Sequence, residues 1–256
     1  MLKPLRSRYL QTRKSSSDWT SGGQSCYQIA TLKKTLTFVK AQELVAQSIG
    51  LRSLSKLKSA HGGLYMGVHY DQSHFYLVCG TKDKPVTTPK GIAINDDPKG
   101  AWASLSIACD DNILPAINAI DDRMRQLLAE NSEPLFGVKC TPDMIAKYKF
   151  YTPLAYSKQD SVLAPLAGGK VVLNTIVENE HGHQLNTSKT DSSLDQMADM
   201  HVHMVPAGSR IRLVFSLSSL YFSAETKCKL SVKVERVQLL EAGTDVAEVA
   251  DYSFDD

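Results

Sequence analysis

Alternating apolar and polar positions dominate the chain from residue 63 onward and predict β-strands. At 101–109, Leu105 and Ile107 share one face of the predicted strand, while Ser104 and Ser106 share the other. The other strand-like runs lie at 64–70, 74–79, 144–154, 170–177, 201–205, 210–217, 220–222 and 229–240. Because helical patterns do not alternate with these runs, we expect a mostly antiparallel β domain. The tripeptide Asp71-Gln72-Ser73 between the first two runs has the composition and length of a hairpin turn.

One segment instead shows the spacing of an amphipathic helix, which we predict at 111–130. Asp110 and Asp111 offer N-caps, and Pro115 falls in the first turn, where proline is tolerated. Apolar residues recur every three or four positions at Ile113, Ile117, Ile120, Met124, Leu127 and Leu128. A shorter, less regular helical pattern at 36–51 ends at Gly50.

The last predicted strand changes the parity of its apolar positions. Leu230, Val232 and Val234 share one face, whereas Val237 and Leu239 have the opposite parity. A bulge near Glu235-Arg236 accounts for the slip, and bulges curl sheets toward closure. The fold class we predict is therefore mostly β (α+β), a small antiparallel barrel with one inserted helix.

Charge divides the chain into unequal parts although the whole carries only +2. Residues 1–60 hold eleven basic and two acidic residues, a net +9, whereas 240–256 hold six acids and no base. This polarity favours an anionic polymer as partner, with an acidic tail that competes for the same surface. We divide the chain into a basic arm and linker (1–25), a partly helical extension (26–62), the β domain (63–241) and the acidic tail (242–256).

The basic arm leaves three interpretations open: a solvated arm, a DNA-binding arm, or an organellar transit peptide over 1–17, which is rich in Arg and Ser. No apolar run is long enough to span a membrane. The five scattered cysteines form no C-x-x-C pair and favour a reducing compartment, either nucleus or cytoplasm, including that of a virus-infected cell.

Signals for an enzyme are weak throughout the sequence. Nothing resembles a nucleophile elbow, a P-loop or a dinucleotide fingerprint. The two H-x-H pairs, His181-x-His183 and His201-x-His203, are better explained as surface histidines than as metal ligands. We therefore predict no catalytic residue, no metal and no cofactor.

Basic residues interleaved with aromatics are the remaining chemical signal. Proteins bind single strands without sequence preference through a positive groove and stacked aromatic rings. An alternative reading makes the aromatics core residues and the lysines a solvated edge. The candidate nucleic-acid contacts are Lys139, Lys147, Tyr148, Lys149, Phe150, Tyr151, Lys158, Arg210, Arg212, Tyr221, Lys229 and Lys233. In an extended strand Lys147, Lys149 and Tyr151 would share one face, opposite Tyr148 and Phe150.

The order of four segments resembles the single-stranded DNA-binding proteins of the phage T7 type and of large DNA viruses. The segments are PLFGVK (134–139), KYKFYTPL (147–154), the long run from Val205 to Glu241 and the tail DYSFDD (251–256). The resemblance covers 63–256 and implies an OB-like barrel with an inserted helix and an acidic C-terminal tail. It also implies that the tail docks a replication polymerase or helicase through Asp251, Tyr252, Phe254, Asp255 and Asp256.

The function predicted is a non-enzymatic protein that coats single-stranded DNA in replication or recombination. The alternative is a structural virion or nucleoprotein component, in which a β-sandwich assembles through its edges and the basic arm packages nucleic acid.

Overall fold

The computed structural model describes residues 36–56, 63–95, 102–156, 165–185, 204–222 and 227–243. Several predictions fall outside these ranges: the basic arm, the contact at Lys158, the pair His201 and His203, and the docking residues of the tail.

The fold is mostly β with a few helices, as predicted. The strands are β1 (Leu36–Lys40), β2 (Ile49–Lys56), β3 (Leu64–Tyr70), β4 (His74–Cys79), β5 (Val86–Thr88), β6 (Ile92–Asn95), β7 (Trp102–Ala108), β8 (Tyr151–Thr152), β9 (Ala155–Tyr156), β10 (Leu166–Glu178), β11 (Ser209–Phe222) and β12 (Cys228–Glu241). The α-helices are α1 (Leu114–Glu130), α2 (Ser132–Phe136) and α3 (Pro142–Lys147).

All of these strands belong to one sheet, whose main path runs β1-β4-β11-β12-β10-β7-β6. The end strands β1 and β6 do not pair with each other in the described part of the chain, so the sheet there is not closed into the predicted barrel. Closure requires the first and last strands to pair at a fixed stagger. Most pairings are antiparallel, but β1 with β4, β10 with β12 and β8 with β12 are parallel.

Helix α1 confirms the predicted amphipathic helix and covers one face of the sheet. The Asp110 carboxylate accepts hydrogen bonds from the backbone N–H groups of Asn112 (3.0 Å) and Ile113 (3.2 Å) just before the helix begins. Apolar side chains along the predicted stripe are buried, and Ile117 lines a small apolar pocket together with Leu77 and Leu217 of the sheet. The hydrophobic core therefore lies between α1 and this face.

The predicted bulge in the last strand is confirmed. Val234 pairs with Phe215 and Arg236 pairs with Val214, which leaves Glu235 as the extra residue of β12. Val234 and Val237 are both buried, although they are three residues apart. The bulge restores the apolar side chains to the core face after the slip in parity.

The helix predicted at 36–51 is wrong. This stretch forms β1, two short 3-10 turns (Ala41–Glu43 and Ala46–Ser48) and the start of β2. Strand β1 pairs with β4 and β2 pairs with β3, so the segment is integrated into the sheet. Pairing with neighbouring strands has overridden a weak local helical spacing.

The strand predicted at 144–154 is also wrong, because helix α3 occupies its first half. The Thr141 hydroxyl accepts a hydrogen bond from the N–H of Met144 (3.3 Å), and Pro142 fills the first turn. The chain then turns through Lys149, whose φ of 54° lies in the left-handed region, before the short strands β8 and β9.

The bounds predicted for the first two runs are those of β3 and β4, and a tight turn joins them. Asp71 and Gln72 have positive φ angles, and Tyr70 and Ser73 exchange backbone hydrogen bonds. Beyond this bridge, however, β3 and β4 pair with successive parts of β11. They follow one another along β11 instead of forming a long hairpin.

Candidate nucleic-acid interface

The sheet has a core face against α1 and an opposite face, which we call the outer face. Val234, Phe215 and Leu77 point to the core and are buried. Because side chains alternate along a strand, their neighbours Lys233 and Tyr76 point to the outer face. Lys233 is exposed and Tyr76 is half-buried.

One row of side chains crosses the outer face over six neighbouring strands. Register pairs join each member to the next, from β1 through β4, β11, β12 and β10 to β7. The row, which we call the lysine row, consists of Phe38, Tyr76, Ser216, Lys233, Lys170 and Ser104. At about 4.8 Å between strands it is about 24 Å long. That length corresponds to about seven nucleotides at the ~3.4 Å axial rise of one strand in a duplex, and to fewer in an extended strand.

The two lysines of this row are direct neighbours. Lys170 of β10 lies opposite Lys233 of β12, and both side chains are exposed. Within the described ranges neither forms an ion pair with an acid. Like charges directly opposite each other destabilise a sheet, so this pair adds positive potential at a cost in stability.

The aromatic end of the lysine row consists of two stacked rings. The centroids of Phe38 and Tyr76 are 5.1 Å apart and their planes differ by 25°. Burial, together with the charge of nearby Glu235, raises the pKa of Tyr76, so its phenol is neutral near pH 7. A half-buried aromatic pair beside two free lysines offers both a stacking surface and phosphate contacts.

A second row on the same face contains two of the residues predicted from sequence. Tyr221 of β11 lies between Lys229 of β12 and Tyr65 of β3. The Tyr221 ring is 41% exposed and lies over Gly63, where a Cβ atom would come within 2.5 Å of the ring. Lys229 is exposed, so this row also combines a lysine with an aromatic surface.

Tyr156 supplies a further exposed ring above the sheet. Its hydroxyl is 3.1 Å from the hydroxyl of Ser106 on β7. The residue of β10 that pairs with Ser106 is Gly168, where a Cβ would come within 2.7 Å of the Ser106 Oγ. The glycine therefore leaves room for the Tyr156–Ser106 pair, and the ring remains 50% exposed.

Five predicted contacts lie around α2 and α3 and not on the strands that carry the lysine row. Phe136 stacks on Phe150 at 4.8 Å, and the Lys147 Nζ lies 5.9 Å from the centroid of the Tyr148 ring. Tyr148 is 56% exposed, whereas Phe150 packs partly against the core. The five are Lys139, Lys147, Tyr148, Lys149 and Phe150. The faces predicted from an extended strand do not exist here, because α3 and a turn carry these residues.

Tyr151 does not belong to an exposed surface. Its side chain is 4% exposed, and its hydroxyl donates to the Asp121 carboxylate at 2.7 Å. Burial and the neighbouring Asp121 raise the pKa of Tyr151 well above its usual value. We therefore correct its assignment from a nucleic-acid contact to a core residue.

The two predicted arginines lie on the outer face of β11. Arg210 is 3.7 Å from Glu241, and Arg212 lies opposite Gln238. On the neighbouring strands, Arg236 donates to Glu178 through Nε (2.9 Å) and through its terminal nitrogen. Arg210 and Arg236 are thus paired with acids, in contrast to Lys170 and Lys233.

The set of contacts predicted from sequence lacks Phe38, Tyr76, Tyr156 and Lys170 of the outer face. The signal for Tyr76 was present, because Phe75 and Leu77 mark the core face of a predicted strand. Lys170 begins a predicted strand, but its position beside Lys233 depends on the order of strands, which local periodicity does not contain.

One of the two H-x-H pairs lies within the described residues. His181 and His183 lie in an exposed turn with ring centroids 6.1 Å apart. Across the described ranges, no three His, Cys, Asp or Glu side chains are grouped as metal ligands. None of the helices there is long and apolar enough to cross a membrane.

Comparisons with known proteins give matches only among solved structures. No family model and no curated protein matches the sequence. The single-stranded DNA-binding protein from bacteriophage Enc34, in complex with single-stranded DNA, is similar at 12% identity and a TM-score of 0.38, covering 75% of this chain and 97% of that one. The protein gp2.5, a single-stranded DNA-binding protein encoded by bacteriophage T7, is similar at 14% identity and a TM-score of 0.32, covering 82% of this chain and 100% of that one.

Proposed function

We propose that the protein is a non-enzymatic single-stranded DNA-binding protein that acts in DNA replication or recombination. The observation that carries the proposal is the exposed pair Lys170 and Lys233, which continues through Ser216 to the stacked rings of Phe38 and Tyr76. A positive track beside accessible aromatic rings supplies phosphate contacts and base stacking together.

The aromatic component favours a single strand over a duplex. Bases in a duplex are already stacked on one another, so protein rings cannot stack on them without opening the helix. The bases of a single strand have free faces, and stacking on a protein ring is worth about 1 to 3 kcal/mol per base. A duplex would use only the lysines.

The acidic tail completes the proposal as an intramolecular competitor. Residues 244–256 contain five acids and no base, together with Tyr252 and Phe254. The tail imitates the charge and the aromatic character of a single strand, so it competes for the outer face when DNA is absent. When DNA occupies that face, the released tail docks a polymerase or helicase.

The cellular setting is part of the same proposal. The four described cysteines are free thiols, as expected in a reducing compartment where DNA is replicated. We place the protein in the nucleus or cytoplasm, including that of an infected cell.

A titration of the full chain with a fluorescent oligonucleotide tests the proposal directly. We expect saturable binding at about 50 mM salt that weakens as salt rises, in proportion to the phosphates neutralised. Unlabelled single-stranded DNA should compete better than duplex DNA, and RNA is included as a third competitor. Absence of binding at low salt would overturn the proposal.

Size-exclusion chromatography of nuclease-treated protein separates this function from the structural alternative. A coating protein elutes as a monomer or small oligomer without DNA. Large particles that form without nucleic acid would favour the virion component.

A further inference from the structure

The geometry points to Asp121 as the residue that positions the Tyr156 ring on the outer face. Asp121 is on α1, on the core side of the sheet, and its side chain is 3% exposed. Tyr156 is on the outer face and is offered here as a base-stacking ring, so this inference rests on the proposed function. The connection between them is the segment 151–156.

Asp121 holds this segment through several hydrogen bonds. Its Oδ1 accepts from the Tyr151 hydroxyl (2.7 Å) and from the N–H of Leu154 (3.0 Å), and its Oδ2 lies 3.1 Å from the same Leu154 nitrogen. The backbone amide of Ala155 also opposes the rise in the pKa of this carboxyl. Ala155 is directly before Tyr156 in the chain.

The sheet alone fixes this segment weakly. Strand β8 pairs with β12 through only two residues, Tyr151 and Thr152, and β9 pairs with β10 through Ala155 and Tyr156. Two-residue strands provide few ladder hydrogen bonds, so the buried carboxylate supplies an additional anchor at the point where the chain passes from β8 to β9. Hydrogen bonds to an ionised group are stronger than neutral ones.

The cost of burying the Asp121 carboxyl is offset by specific interactions, which supports a role beyond packing. Burial raises the pKa of its carboxyl, while the bonds from Leu154, Tyr151 and Ala155 and the charge of Arg125 oppose that increase. An apolar side chain would avoid the cost of burying a carboxyl but could not accept hydrogen bonds from the Leu154 N–H and the Tyr151 hydroxyl. The carboxylate is therefore suited to holding one short segment in one place.

The Tyr156 hydroxyl forms a hydrogen bond with the Ser106 hydroxyl, and Ser106 pairs with Gly168 of β10. Lys170 is two residues after Gly168 and lies on the same face of β10. A displacement at Ala155 moves the ring relative to Lys170. Asp121 thus acts on the binding surface through Tyr156, without contacting the ligand.

The test compares Asp121→Asn with Asp122→Asn in the full chain. Asp122 is the matched control, because it is the next residue of α1 and its side chain is 66% exposed. The first readout is the ¹⁹F resonance of Tyr156 in protein labelled with fluorotyrosine, assigned by its loss in Tyr156→Phe. We expect this resonance to shift in Asp121→Asn and to remain unchanged in Asp122→Asn.

The second readout is affinity for a single-stranded oligonucleotide. We expect Asp121→Asn to weaken binding about 3- to 10-fold, which is part of the affinity that one base–aromatic stacking contact supplies. In a Tyr156→Ala background the same substitution should have no further effect on affinity. A lower melting temperature with neither a shifted resonance nor a changed affinity would overturn the positioning role. If the wild-type chain binds no oligonucleotide, the proposed function fails, while the resonance still tests the positioning.

Discussion

Lys170 and Lys233 lie directly opposite each other on the parallel strands β10 and β12, exposed and without an acidic partner among the described residues. The arrangement lowers stability and raises the local positive potential. An anionic ligand that bridges both side chains would relieve the repulsion.

Replacing both lysines with threonine should therefore change binding and stability in opposite directions. Each lost phosphate contact lowers the slope of log affinity against log salt by about 0.7, so the double variant should lose about 1.4. The free energy of unfolding should rise by about 0.2 to 1 kcal/mol as the repulsion is removed. Salt-dependent oligonucleotide titrations and urea unfolding measure the two effects.

The matched control for this pair is Lys82→Thr with Lys84→Thr, two exposed lysines between β4 and β5. This variant carries the same change in net charge away from the lysine row. Equal losses of affinity in the two double variants would show that total charge, and not the row, determines binding.

Tyr76→Ala should weaken single-strand binding by about 1 to 3 kcal/mol, because it removes one ring of the stacked pair. Tyr76→Leu keeps apolar contact with Phe38 while removing the aromatic face, so it should lose affinity with a smaller effect on stability. Tyr148→Ala is the comparison on the α3 side. A larger loss of affinity in Tyr148→Ala would move the interface from the outer face to the cluster around α3.

The sequence predicted the outer-face residues of β11 and β12 well because a strand repeats every two residues. Lys229 and Lys233 share one parity before the bulge at Glu235, and Arg210 has the outer-face parity at the start of β11. Tyr221 returns to that face through the register shift between Leu217 and Ser219. In a long strand with clear alternation, the sequence alone shows which side chains share a face.

The same reasoning failed at 144–154 for an identifiable cause. The signals of a helix start were present in Thr141 and Pro142, but the alternation of Lys147 to Tyr151 imitated a strand. The lysine row itself could not be predicted locally, because it joins six strands whose order follows from pairings between distant segments, as in the contact of Lys170 with Lys233.

The buried thiols should be inert in the native protein. Burial raises the pKa of Cys109 and Cys228 to about 12, and that of Cys79 further, while Cys140 is also buried. Only the thiolate reacts with a disulfide reagent. In a Cys26→Ser variant at about pH 8, we expect slow reaction with Ellman's reagent until denaturant exposes the four remaining thiols. Rapid stoichiometric reaction of the native variant would contradict their burial.

The stability of the protein should depend on pH through Asp121. Because burial raises the pKa of this carboxyl above its unfolded value of about 3.9, the folded state holds the proton more tightly. The resulting stabilisation is complete below the unfolded pKa and is lost as pH rises through the folded pKa. As pH falls from about 7 to about 4, the free energy of unfolding of the wild type should therefore increase relative to that of Asp121→Asn. Urea unfolding at each pH measures this difference. A relative loss over that interval would contradict the direction of the shift.

Truncation after Gly243 should tighten binding to single-stranded DNA at low salt. Gly243 is retained, because its N–H donates to the Ser209 hydroxyl at 3.0 Å and the residue packs closely against Gly208. The truncation removes five acids that compete with phosphates for the positive outer face. The gain in affinity should shrink as salt rises, since the Debye length falls from about 10 Å at 0.1 M to about 3 Å at 1 M.

Two full-length variants separate the charge of the tail from its aromatic residues. Neutralising the five acids of 244–256 with Asn and Gln should reproduce the truncation if competition is electrostatic. Replacing Tyr252 and Phe254 with alanine keeps every charge and tests whether the rings compete for the stacking surfaces of Tyr76 and Tyr221. If all three variants bind as wild type does at about 50 mM salt, where phosphate contacts are strong, the tail does not occupy the outer face. If only the aromatic variant binds more tightly, stacking rather than charge holds the tail there.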